Sequence, residues 1–132
     1  MVLLVTTLAV RNDRASFSGG SFGTIEKALQ SHGLHICHTV DRPDGQANQA
    51  TDSRLYDVAF DCSTDAAARV VVDRFAAVDD RDAAIRNHEV LVRPRGSGVT
   101  YTYGRFTIYV LGQSDDDAQD TINTALRGIG AK

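Results

Sequence analysis

A chain of 132 residues with 42% hydrophobic content is long enough to bury a core of its own, and residues 1–132 are expected to form a single α+β domain. Its net charge of −3 excludes a globally basic nucleic-acid binder, though not a local basic patch. Cys37 and Cys62 are too few for a disulfide framework and lack CxxC spacing, so a reducing compartment is the default expectation.

The opening MVLLVTTLAV is apolar but short, has no basic residue before it and runs into RNDR without a small-residue cleavage site. Both a signal peptide and a membrane span are therefore unexpected, and a cytoplasmic or virion location is expected. Residues 2–10 carry apolar side chains on both faces, as in a strand covered on both sides. Residues 12–23 are rich in Asn, Asp, Ser and Gly and read as a long loop. Thr24 is then positioned to cap a short helix through Ile25, Ala28 and Leu29, with Gly33 placed to stop it.

Residues 34–40 alternate as a second strand, and 41–53 read as an exposed loop around Pro43, Asp44 and Gly45. Residues 55–62 form a third strand with Tyr56, Val58, Phe60 and Cys62 directed inward. Ser63 or Thr64 caps a predicted helix with Ala68, Val71, Val72, Phe75 and Val78 as its buried stripe, ending in the charged run 79–82 or one short turn later through Ile85. A fourth strand is expected at 88–93, a turn at Pro94, Gly96 and Gly98, and a long fifth strand at 99–111. Ser114 caps a last helix with Ala118, Ile122, Ala125, Leu126 and Ile129 on one side, closing at Gly128 or Gly130.

The first six predicted elements, βαββαβ, are those of the split βαβ arrangement of ferredoxin-like domains, a sandwich here extended by a fifth strand and a C-terminal helix. A sheet with helices on one face leaves the other face needing water or a partner.

The longest alternating stretch, VTYTYGRFTIYVL, places Tyr101, Tyr103, Arg105 and Tyr109 on one side of one strand. Tyr and Arg are enriched at protein interfaces, so these four are the predicted interface residues. The alternative is single-strand nucleic-acid binding through Tyr101, Tyr103 and Arg105, with Arg93 and Arg95 in the same predicted hairpin. The YGRFTIY spelling loosely resembles the aromatic-rich strand of RNA-recognition domains, but lies on a fifth strand and lacks the Lys/Arg-Gly start. Gly19, Gly20, Ser21, Gly23 and Thr24 lead from a loop into a helix N-terminus, the outline of a phosphate-ligand site, although neither a Walker sequence nor a dinucleotide fingerprint is present.

His35 and Cys37 share a strand face, with Asp57 or Asp61 of the neighbouring predicted strand as further candidates, which falls short of a closed metal site. No metal, cofactor or catalytic residue is predicted. Asp57 and Asp61 would lie ~13 Å apart along one strand, too far for a carboxylate pair. The expectation is therefore a non-enzymatic module that binds itself or another protein, a homo-oligomeric structural subunit. Its size and series of small α+β elements are similar to those of phage tail-terminator and head-to-tail joining proteins, a similarity that implies ring assembly.

Overall fold

Ser21 opens the first helix of the computed structural model, which describes residues 21–42, 50–63, 68–92, 98–112 and 116–132. Its hydroxyl oxygen accepts the Thr24 N–H at 3.1 Å, so the cap lies three residues before the Thr24 that the letters suggest. Helix α1 (Phe22–Ser31) buries Phe22, Ile25, Ala28 and Leu29 at helical spacing. It ends at the predicted glycine: Gly33 has φ 83°, and the Leu34 N–H returns to the Leu29 carbonyl at 3.3 Å.

Strands β1 (His35–Arg42), β2 (Asp52–Ala59) and β3 (Ala68–Arg74) follow, then helix α2 (Val78–Val92), β4 (Val99–Tyr103), β5 (Phe106–Gly112) and helix α3 (Asp116–Gly128). The five strands form one antiparallel sheet in the order β1-β2-β3-β5-β4. The α+β class is as expected, but the element series and strand order differ from the ferredoxin-like arrangement. Among the described residues, β1, β2 and β3 are successive neighbours with no helix between them.

Three segments account for the difference. The predicted helix with its stripe at Ala68, Val71, Val72, Phe75 and Val78 is strand β3 from Ala68 to Arg74, with Phe75 just past the strand and Val78 opening α2. Ala68, Val70 and Val72 face the main core at period two, and three consecutive valines resist a helix because their χ1 freedom is lost there. Residues 88–92 of the strand predicted at 88–93 are instead the end of α2, which continues from Asp79 and Asp80 in its first turn, where the positive helix end favours carboxylates. The predicted long strand at 99–111 is a hairpin. Gly104, φ 55°, opens the two-residue loop between Tyr103 and Phe106, which are paired partners. A β-branched residue at that φ is strained, so Gly104→Val is expected to lower stability by about 1–2 kcal/mol, seen as a lower urea midpoint at unchanged slope. The expected strand at 2–10, loop residues 12–20 and 43–49, and the caps at Thr64 and Ser114 lie outside the described residues.

The last helix follows the prediction closely. Ala118, Ile122, Ala125 and Leu126 are buried on α3, Ile129 is partly buried, and the chain turns at Gly130 with φ 95°. Helices α1 and α3 join Tyr56 and Val58 of β2, Val70 and Val72 of β3, and Ile108 and Val110 of β5 in one core cluster. Each such buried aliphatic side chain contributes about 1.5–3 kcal/mol. On the opposite side of the sheet, Val40, Leu55, Val71 and Tyr109 pair in a row across four strands. Ser53, Asp73 and Thr107 form the next row there, buried, with the Ser53 hydroxyl donating to the Asp73 carboxylate. Helix α2 builds a separate cluster of Ala84, Phe75 and Ala50, and its Arg81 guanidinium donates to the Gly104 carbonyl of the hairpin loop.

The cysteines depart from the reduced pair expected. Cys37 and Cys62 are joined in a disulfide, with Cα atoms 5.4 Å apart. No helix among the described residues is long and apolar enough to cross a membrane.

Candidate functional site

The hairpin divides the four predicted interface residues. Because Tyr103 pairs with Phe106 and Tyr101 with Ile108, the two tyrosines of β4 turn toward the helix-covered side, whereas Tyr109 turns to the other. Tyr101 is 5% exposed and donates its hydroxyl to Asn123 Oδ1 of α3 at 2.7 Å. Burial raises its phenol pKa, with Arg127 acting weakly in the opposite direction. Tyr103 is half-buried and stacks on Phe106 at 6.2 Å between centroids. Arg105 sits exposed in the loop, 3.3 Å from the Ala76 carbonyl. Tyr109 is 7% exposed and lies so close under Gly98 that any side chain at that glycine would collide with its ring. The four residues therefore share no common surface. The single-strand alternative loses its row of rings for the same reason: of its named tyrosines, only Tyr103 is half-accessible.

At the start of α1 the expected anion-binding geometry is already used internally. Ser21 Oγ accepts the Thr24 N–H and lies 3.1 Å from Thr24 Oγ1, which ties both hydroxyls to the helix's own cap. Gly23 follows Ser21 inside the helix, and Gly19 and Gly20 lie outside the described residues. Of the residues considered for a metal, Cys37 is held in the disulfide and Asp57 is paired with Arg69 at 3.1 Å. Asp61 lies beyond the end of β2, where the Ser63 N–H and hydroxyl hold its carboxyl below the usual range. No group of three His, Cys, Asp or Glu side chains suited to a metal occurs among the described residues.

The two edges of the sheet differ more than its faces do. Edge strand β4 is closed by the chain's own tail: the Thr102 N–H donates to the Lys132 carbonyl at 3.1 Å and the Lys132 N–H returns to the Thr102 carbonyl at 3.0 Å. Edge strand β1 has no such partner among the described residues on its outer side. Its residues are mostly exposed, with Ile36 and Val40 half-buried. The β1 register skips from Ile36 opposite Val58 to His38 opposite Asp57, a bulge that leaves Cys37 unpaired and tied to Cys62.

Behind β1, a charged cluster fixes the inner side of this edge. Arg54 of β2 donates to Glu26 of α1 at 2.8 Å and to Asp41 of β1 at 2.9 Å, while its guanidinium lies 4.6 Å over the Phe22 ring. Tyr56 donates to the same Glu26 carboxylate at 2.6 Å. Burial and the Glu26 hydrogen bond push the Tyr56 phenol well above its ordinary pKa, against the opposing pull of Arg54. Arg74 and Asp52 form a two-pronged pair at 2.8 and 2.7 Å beside the same ring. Of these side chains the sequence singles out only Tyr56, as an inward residue of its strand. The available signal was the Arg54, Tyr56 spacing, which puts both on one side of a strand under the helix bearing Glu26. The chain matches no protein-family model, no curated protein and no solved structure.

Proposed function

We propose that the chain is a non-enzymatic assembly module that pairs with a second copy of itself through the outer edge of β1. The observation that carries this reading is the contrast between the edges: β4 is closed by Lys132, and β1, past the bulge at Cys37, presents backbone groups at residues 39–42 with no partner strand on their outer side among the described residues. An open edge is a ready template for another strand, and proteins that remain monomers ordinarily close or disrupt both. Strand β1 carries one Asp and one Arg, so two copies meet without net like charge. Charges at Asp41 and Arg54 are already neutralised within the subunit, which lowers the desolvation cost of covering them. Pairing of the same edge on both partners is isologous and closes at two, so a larger structural ring of the tail-terminator kind would need a second contact.

The test is absolute mass by light scattering across a size-exclusion peak, at several loading concentrations. The expected result is a species of twice the 14.3 kDa chain. Adjacent residues of an edge strand direct their N–H groups alternately inward and outward. Of Thr39→Pro and Val40→Pro, one therefore removes an outward donor and yields a folded monomer. A monomer at every concentration, or a dimer that survives both substitutions, would overturn the reading.

A further inference from the structure

The Cys37–Cys62 bridge is attached to the one β1 residue that the sheet register skips. Both cysteines are exposed. The skip has a structural consequence: it lets Ile36 pack against the main core while Val40 joins the row on the opposite side of the sheet. Pairing continued straight from Ile36 would set Cys37 opposite Asp57 and turn every later residue of β1 to the other side. A bulge of this kind also bends an edge strand and interrupts its row of free donors and acceptors, which discourages strand addition.

We propose that the disulfide is a redox catch that sets the register of edge strand β1. Oxidised, it holds the bulge and leaves only residues 39–42 open to a partner strand; reduced, it releases Cys37 and lets the edge straighten over its full length. The proposal rests on the edge reading for its consequence in assembly. The chemistry needs a small dithiol. One thiolate of the reagent attacks an exposed cysteine sulfur, forming a mixed disulfide and expelling the other cysteine as a thiolate that takes up a proton. The second reagent thiol then attacks the mixed disulfide and frees the first cysteine. The protein gains two electrons and two protons, and the dithiol leaves as its own disulfide.

The experiment compares cross-strand NMR contacts of the full chain before and after treatment with dithiothreitol, with bridge opening followed by alkylation and mass. The oxidised protein shows Ile36 beside Val58 and His38 beside Asp57. On reduction, Cys37 is expected to gain a partner in β2 and the β1 contacts to move by one residue, while the contacts between β3 and β5 stay. The Cys37→Ser, Cys62→Ser double variant reproduces that pattern without reductant. Unchanged β1 contacts in the reduced protein would overturn the proposal, as would a bridge that resists dithiothreitol in the folded chain. Loss of the β3 to β5 contacts on reduction would overturn it too, since the bridge would then hold the whole fold. These contacts lie within one subunit and are read whatever its mass, so failure of the catch is distinguishable from failure of assembly. Light scattering in the two redox states supplies the second readout, with the dimer expected to form at about tenfold lower concentration when reduced.

Discussion

Tyr101→Ala lowers the unfolding free energy by about 3 kcal/mol or more, whereas Tyr103→Ala, two residues away on the same strand, costs about 1 kcal/mol. Tyr101 is 5% exposed, packs in the main core and gives its hydroxyl to Asn123. Truncation there leaves a cavity between β4 and α3, which close-packed surroundings fill only in part. It also deprives Asn123 Oδ1 of one of its two donors, Arg127 Nε at 3.1 Å being the other. Tyr103 is half-buried, so its loss is felt through the stacked contact with Phe106 and through partial burial alone. Urea unfolding followed by circular dichroism measures both variants. Equal small effects would mean that the two tyrosines share an exposed surface after all, as one unbroken strand would require.

Above pH 10 the protein loses stability, by at most about 1.4 kcal/mol per pH unit for each tyrosine whose folded pKa is raised. Tyr56 and Tyr101 are both raised, Tyr56 by burial and by the Glu26 carboxylate its hydroxyl donates to, Tyr101 by burial. In the unfolded chain each ionises near pH 10, as a free phenol does. Between that pH and the folded pKa, the unfolded state has released the proton and the folded state has kept it, so the slope of stability against pH is negative. The stabilisation is fully present below pH 10 and is lost as pH rises through the folded pKa. Tyr56→Phe is expected to reduce the alkaline slope. At neutral pH it costs only about 1 kcal/mol, because Glu26 keeps Arg54 as a partner. Denaturant midpoints measured across the alkaline range test this, and an unaltered slope in Tyr56→Phe would contradict it.

The first of these expectations concerns a residue that the letters alone place differently, whereas Tyr56 is buried as the alternation of its strand predicts. Tyr101 reads as a surface residue because the alternation from Val99 to Leu111 is unbroken in the letters. A two-residue loop, however, brings Tyr103 and Phe106 to the same side, and so reverses the phase of everything after it. Gly104 is the single local mark of that reversal, and Tyr-Gly-Arg lacks the Asn-Gly or Asp-Gly form that would have announced it. The half-buried cluster of Tyr56, Glu26 and Arg54 joins a helix to a strand some thirty residues on, a distance no window of periodicity spans.

By itself the sequence determined what is local. Helix α1 with its stop at Gly33, helix α3 with its apolar stripe and closing glycines, and the presence of strands at β1 and β2 follow from dihedral preferences, capping and period within a dozen residues. The bulge at Cys37, however, sets Ile36 and Val40 on opposite sides, and Phe60 and Cys62, expected inward, lie exposed beyond β2. The tertiary structure decided what the letters leave degenerate. Ala68, Val70 and Val72 satisfy period two, while Ala68, Val71, Val72 and Phe75 satisfy a helix; only β2 on one side and β5 on the other, each supplying a full ladder of hydrogen bonds, select the strand. The run at 88–92 is likewise compatible with either state, and it follows α2 because the helix already formed from Val78 extends more easily than a new strand begins. Strand order, the closed edge at Lys132 and the pairing of Cys37 with Cys62 depend on which distant segments meet. That is set by the burial of one common core and not by any residue's immediate neighbours.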